Sequence, residues 1–263
     1  MIEILCTNDD GIQSSGLAAA AKACKAYGNV RVYAPLHNKT CVGGTTTFGR
    51  QIKYEQVDYE QISGISGIEA FAIDGSPFDT MKFALQGHGL KPDLVVSGIN
   101  YGVQIGFVPI FMSGTCAAAI RVAGEGIPSL ALGFLPSSYE DALHDHHSGK
   151  LQDLTEYPGK ILEELIGQAL KTRLGGAIMW NINFPNKPTQ SVQFVPMEVQ
   201  EFWREWVEDF GGSFLNFGRM DGDSSKPGTD GYSIARGNIV ITPCRLDMTD
   251  YKALHVLRAE LGI

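Results

Sequence analysis

Apolar and polar positions along this chain follow two periods, and the order in which they occur predicts the architecture. Ile2 to Cys6 is a short apolar run broken only by Glu3, which reads as a strand buried in a parallel sheet. Ser14 or Ser15 can cap a helix of small apolar residues from Gly16 to Tyr27 that Gly28 would stop, and Val30 to Ala34 is apolar again. Strand, helix and strand make one βαβ unit. Asp93 to Ser97 and Ser129 to Gly133 repeat the pattern around a small-residue helix, Cys116 to Gly124. Such alternation predicts an α/β fold with a doubly wound, largely parallel sheet.

Between these units, Arg50 to Asp58 and Glu69 to Ile73 alternate apolar with polar residues, so an antiparallel ribbon is expected beside the main sheet. Ser76-Pro77-Phe78-Asp79 combines a cap, a first-turn proline and a first-turn acid, and starts a helix expected to reach about Leu85. A further helix is expected over Tyr157 to Thr172 and a strand over Ala177 to Asn183, with Pro185 and Pro188 closing the main domain, 1–188. The remainder, 189–263, has short strands, a segment around Trp203 and Trp206, a glycine-rich loop from Gly211 to Gly231, a strand Asn238 to Pro243, and a last helix from Asp250 to about Leu261. It reads as an accessory or oligomerisation region packed with the main domain as one unit. Trp203 and Trp206, with Phe202 and Phe210, suit packing better than base stacking.

Composition narrows the function classes. A chain of 263 residues can bury a large core. Its net charge of −8 argues against partners that need a basic face, nucleic-acid duplexes and anionic membranes. Five widely spaced cysteines without metal-type spacing point to a reducing compartment. No apolar run approaches the ~18 residues of a membrane span and the amino terminus lacks a signal-type pattern, so the cytoplasm is the expected location.

The chemistry begins at Thr7-Asn8-Asp9-Asp10-Gly11, directly after the first strand. Two adjacent carboxylates at the carboxyl end of a parallel strand fit a Mg2+ or Mn2+ site, and the same residues also fit a solvated turn. Three more loops follow predicted strands. Leu36 to Gly44 offers Asn38, Lys39 and Thr40; Gly98 to Gly102 offers Asn100; Ser113-Gly114-Thr115 precedes a helix and is either a phosphate site or simply its cap. A cation held by acids beside an anion hole is an apparatus for hydrolysing a phosphate ester. Other chemistries lose ground on context. No G-x-S-x-G elbow surrounds Ser113, no GxGxxG follows the first strand, and His144-Asp145-His146-His147 sits among surface-loop residues.

Thr7 to Gly11, Ala34-Pro35 with Asn38 and Thr40, Gly75 to Asp79, Pro92 to Gly102, Ser113 to Thr115 and Gly126 to Ser129 occur in order. Together they resemble the SurE family, the survival protein E group of 5'-nucleotidases and acid phosphatases. Asn181 to Pro185, Gly228 to Asp230 and Ile239 to Pro243 with Asp247 and Thr249 resemble its later blocks. The resemblance implies a Rossmann-like fold and a metal-dependent 5'-nucleotidase acting on nucleoside monophosphates, with broader phosphatase or exopolyphosphatase activity in some members. It also implies homodimers or homotetramers built through the carboxy-terminal extension. Carried over residue by residue, it assigns Asp9, Asp10, Thr40 and Asn100 to the metal, with Asp9, Asp10 and Asn100 catalytic. Asn38, Ser113, Gly114 and Thr115 are assigned to phosphate. Departures lie beside the site: Thr40 replaces a serine, Cys41-Val42 is more apolar than usual, Gln104 replaces an asparagine, and the loop from Phe107 to Met112 lacks an aspartate. A nucleotide-binding protein with little turnover is the alternative that these departures keep open.

Overall fold

The computed structural model describes residues 1–137, 154–199, 203–220 and 225–262. Its strands are β1 (Ile2–Thr7), β2 (Gly28–Pro35), β3 (Tyr54–Val57), β4 (Glu69–Ile73), β5 (Leu94–Tyr101), β6 (Ser129–Phe134), β7 (Met179–Phe184), β8 (Val192–Phe194), β9 (Trp203–Asp209), β10 (Phe214–Met220) and β11 (Ile239–Cys244). Among the described residues, nine of these form one sheet in the order β3-β4-β2-β1-β5-β6-β7-β11-β8, while β9 and β10 pair antiparallel as a separate hairpin. β1 pairs in parallel with β2 on one side and β5 on the other. The winding direction reverses there, and the carboxyl ends of those strands open a crevice in which α/β sheets bind ligands.

Burial on both faces explains the apolar runs. Ile4 and Cys6 face one core, shared with Leu17 of helix Ser15–Cys24 and with Leu162 and Leu165 of helix Gly159–Thr172. Leu5 faces the other, with Met81 of helix Pro77–Lys82 and Ala118 and Val122 of helix Gly114–Ala123. One strand's odd and even positions thus serve two helical layers. Helix Ser15–Cys24 lies very close to the sheet: a Cβ on Gly16 would fall 1.9 Å from the Ile99 carbonyl oxygen.

Several boundaries differ from those expected. The first helix ends at Cys24, and Gly28 opens β2 rather than stopping the helix. β3 and β4 do pair antiparallel, but β4 also pairs in parallel with β2, so this ribbon is the edge of the main sheet itself. The helix from Pro77 leaves α geometry after Lys82 and finishes as a π turn over Phe83–Gly87. β10 and helix Asp230–Ile234 occupy parts of what read as one glycine-rich loop. Phe107–Met112 is helical, and β5 runs on to Tyr101 with a register shift against β6 between Ser97 and Asn100.

The carboxy-terminal region is split. β8 and β11 complete the main sheet, with β11 antiparallel to β7. Helix Tyr251–Leu261 has no buried residue, and Val207, Phe210 and Phe214 of the hairpin region are exposed. No helix among the described residues is long and apolar enough to cross a membrane.

Candidate active site

β1 delivers the chain to a turn that Asn8 holds closed. Its Nδ2 donates to the Gly11 carbonyl (3.0 Å) and its Oδ1 accepts from the Gly11 N–H (3.2 Å). Gly11 has φ +106°, and a Cβ there would approach the His37 carbonyl carbon to 3.3 Å. The turn is therefore pressed onto the loop after β2, where the Lys39 N–H donates to the Asp9 carbonyl (2.7 Å).

The two aspartates sit differently. Asp9 is only 2% exposed and accepts a hydrogen bond at Oδ1 from the Thr115 hydroxyl (2.5 Å). Asp10 accepts at Oδ2 from the Tyr101 N–H (3.2 Å), which ties it to the end of β5. Burial, reinforced by the neighbouring Asp9 carboxylate, pushes the Asp10 carboxyl well above the usual carboxylate range; the Tyr101 N–H opposes that shift. Adjacent acids held this way are costly to ionise together unless a cation compensates them.

The helix Gly114–Ala123 closes the other side. Gly114 lies so near Asp9 that a Cβ would sit 2.8 Å from the Asp9 Cβ and 3.0 Å from Pro77 Cγ. Ser113 Oγ accepts from the Cys116 N–H (3.0 Å), so this side chain caps the helix, and Ser97 Oγ donates to the Thr115 carbonyl (2.8 Å). The first-turn N–H groups of Gly114 and Thr115 have no acceptor within the helix, which favours an anion there.

Asn100 completes the cluster from β5. Its Nδ2 donates to the Gly102 carbonyl (2.9 Å), while Oδ1 is buried with no hydrogen-bond partner among the described residues. An unsatisfied buried acceptor costs about 1–3 kcal/mol. A hard cation beside it would remove that cost, and two carboxylates with an amide oxygen and a hydroxyl suit Mg2+ or Mn2+. Among the described residues no three His, Cys, Asp or Glu side chains gather, so such a set depends on Asn100 and Thr40 for its neutral oxygens. Thr40 and Asn38 are exposed at the rim, and Asn38 Oδ1 accepts from the Thr40 N–H (2.7 Å), which shapes that loop. These contacts bring all four loops to one edge: Asp9 touches the β2 loop through its carbonyl and the helix terminus through its carboxylate, and the Asp10 carboxylate touches β5.

A second, buried polar layer supports this edge, formed by Gln104 and by residues that the sequence marks only as later blocks of the resemblance. Gln104 donates its N–H to Asn183 Oδ1 (2.8 Å) and accepts at its carbonyl from Asn181 Nδ2 (2.6 Å). Asp230, fully buried, accepts from the N–H groups of Gly106 (3.1 Å), Glu198 (2.7 Å) and Gly231 (2.8 Å). The available signal was Asn181 and Asn183 inside an otherwise apolar strand, since buried polar residues require partners. His144 to His147 and Phe202 lie outside the described residues, and Trp203 and Trp206 fall on β9.

A family model described as Survival protein SurE matches residues 4–206. The chain is 31% identical to 5'-nucleotidase SurE of Methanoculleus marisnigri, covering 98% of this chain and 96% of that protein. It is 33% identical to 5'-nucleotidase SurE of Maridesulfovibrio salexigens, covering all of both, and 32% identical to 5'-nucleotidase SurE 1 of Thermus thermophilus, covering 99% and 98%. Its fold matches the crystal structure of the SurE protein from Aquifex aeolicus with a TM-score of 0.78 at 26% identity, over 98% of each chain. With a matched core of this extent and full-length relatives above 30% identity, the chain belongs to the SurE family.

Proposed function

We propose that this chain is a divalent-metal-dependent phosphomonoesterase that hydrolyses nucleoside 5'-monophosphates to nucleoside and phosphate. The observation that carries the reading is the buried Asp9, with its neighbour Asp10, packed between the orphaned Asn100 oxygen's strand and the Gly114 helix terminus. Asp9, Asp10, Thr40 and Asn100 would hold the ion, and Asn38 with the backbone of Ser113, Gly114 and Thr115 would hold the phosphoryl group. The bound ion supplies Lewis acidity that neutralises phosphoryl oxygens and activates water. Asp9, oriented by the Thr115 hydroxyl, takes a proton from the attacking water as its oxygen bonds phosphorus. The ester P–O bond breaks, and the proton passes to the departing 5'-oxygen.

Full-length relatives bearing the 5'-nucleotidase name support the substrate class. The exposed carboxy-terminal helix and hairpin are proposed as the surfaces of a homodimer or homotetramer. A cytoplasmic location is proposed with it. Phosphate release from AMP and GMP, with and without Mn2+, tests the reading beside Asp9→Asn. The variant is expected to lose at least about 10³-fold in rate; full metal-independent activity in it sinks the mechanism. Metal-dependent nucleotide binding with no hydrolysis would replace the enzyme by a binding protein.

A further inference from the structure

Helix Phe107–Met112 bridges two parts of the candidate site, because it begins just past the turn that follows Asn100 and ends at Ser113. Its backbone is fixed at both ends. At the start, the Gly106 N–H donates to Asp230 Oδ2 (3.1 Å) and the Phe107 N–H to the Glu198 carbonyl (3.1 Å). At the end, the Gly43 N–H donates to the Met112 carbonyl (2.9 Å), and a Cβ on Gly43 would lie 2.7 Å from the Phe111 carbonyl oxygen. The last turn therefore lies on the loop that carries Asn38 and Thr40.

Of its side chains, Ile110 is buried, whereas Phe107, Val108 and Phe111 are 44%, 53% and 52% exposed. The two phenyl rings contact each other, with centroids 4.7 Å apart. Exposed aromatic surface on a backbone pinned beside a site offers a flat apolar wall. Charge points the same way. No residue from Leu94 to Ile120 is charged, and Lys39 is the only Lys or Arg in the four loops Asn8 to Ile12, Leu36 to Gly44, Asn100 to Gly106 and Ser113 to Thr115. A chain of phosphates would need cations along its length, whereas one cation suits one phosphoryl group.

We infer that Phe107, Val108 and Phe111 form the wall that takes the base of the substrate, so this site selects a monoester with an aromatic group on its far side over a polyphosphate. The inference rests on the phosphomonoesterase reading. AMP and ribose 5-phosphate share the same primary phosphate ester and differ by the base, so their comparison isolates the wall from the chemistry. With Mn2+, wild type is expected to show kcat/KM for AMP at least tenfold above that for ribose 5-phosphate and above that for tripolyphosphate. The Phe107→Ser/Phe111→Ser variant is expected to lower the AMP to ribose 5-phosphate ratio about tenfold, mainly through KM. A wild-type ratio near one, a ratio unchanged in the variant, or preference for tripolyphosphate overturns the inference. A change in sedimenting mass with the ratio unchanged assigns the face to contact between copies and also overturns it. If wild type turns over no ester, the phosphomonoesterase reading fails instead, and calorimetry decides the wall: equal affinity for AMP and ribose 5-phosphate, each with Mn2+, refutes it.

Discussion

The edge around Asp9 and the carboxy-terminal arm are built on opposite terms. At Asp9, close backbone packing sets the positions: Gly11 and Gly114 allow approaches that a Cβ would block, and hydrogen bonds from the Lys39 and Tyr101 N–H groups and the Thr115 hydroxyl fix the two acids. In helix Tyr251–Leu261 nothing is buried, although Val256, Leu257 and Leu261 present apolar surface. Position is thus determined within the chain at the first region, while the second has apolar residues that no described residue covers. Chemistry that needs geometry good to a fraction of an ångström belongs on the first kind of scaffold.

The largest expected effect breaks the first region directly. Gly114→Ala places a Cβ 2.8 Å from the Asp9 Cβ, so either the helix or the aspartate must move. A displacement of that size is expected to lower kcat for AMP about 10²-fold. Steady-state kinetics alongside thermal unfolding separates this from simple destabilisation; an unchanged kcat would mean that the close approach is irrelevant to catalysis.

A smaller effect concerns the loop that leads away from the site. Asp79 is buried, which by itself would raise its pKa, yet hydrogen bonds from the Thr47 N–H, the Thr46 hydroxyl, the Ser76 N–H and the Thr47 hydroxyl hold it below the usual carboxylate value. Because the folded pKa lies below the unfolded one, the stabilisation is complete above about pH 4 and is lost as pH falls through the folded value. Asp79→Asn is expected to cost about 1–2 kcal/mol at pH 7. The Tm gap to wild type should close on acidification, and a gap independent of pH contradicts the ionised hydrogen-bond network.

The smallest effect on stability is expected in the arm. Leu257→Asp should change unfolding free energy by less than about 0.5 kcal/mol, as at other exposed positions, while reducing the assembled mass seen by sedimentation. A large Tm loss at unchanged mass would show that the helix packs on its own subunit, and would erase the contrast with the site.

Much of the sheet was legible because burial on both faces writes itself as apolar runs: Ile2 to Cys6, Val30 to Ala34 and Ser129 to Gly133 each lie within a strand of the sheet. The turn chemistry at Ser76-Pro77 was equally readable, since the capping box is local. Less legible were features that depend on distant partners. Gly28 looks like a helix stop but serves as the first residue of β2, where a Cβ would fall 2.1 Å from the Ile2 carbonyl oxygen. Helix Phe107–Met112 contains a proline and no charge, and it is held by Asp230, Glu198 and Gly43, residues remote in sequence.

By itself, the sequence determined the α/β class, the order of the strands along the chain and the oxygen-bearing residues at strand ends, because each follows from local periodicity and from residue type. Only the tertiary structure decided that Thr115 spends its hydroxyl on Asp9, that Asn100 keeps a buried oxygen without a donor among the described residues, and that β8 and β11 join the edge of the main sheet beside β7. Those outcomes rest on hydrogen bonds and close contacts between segments far apart in the chain, and no local pattern encodes such distances.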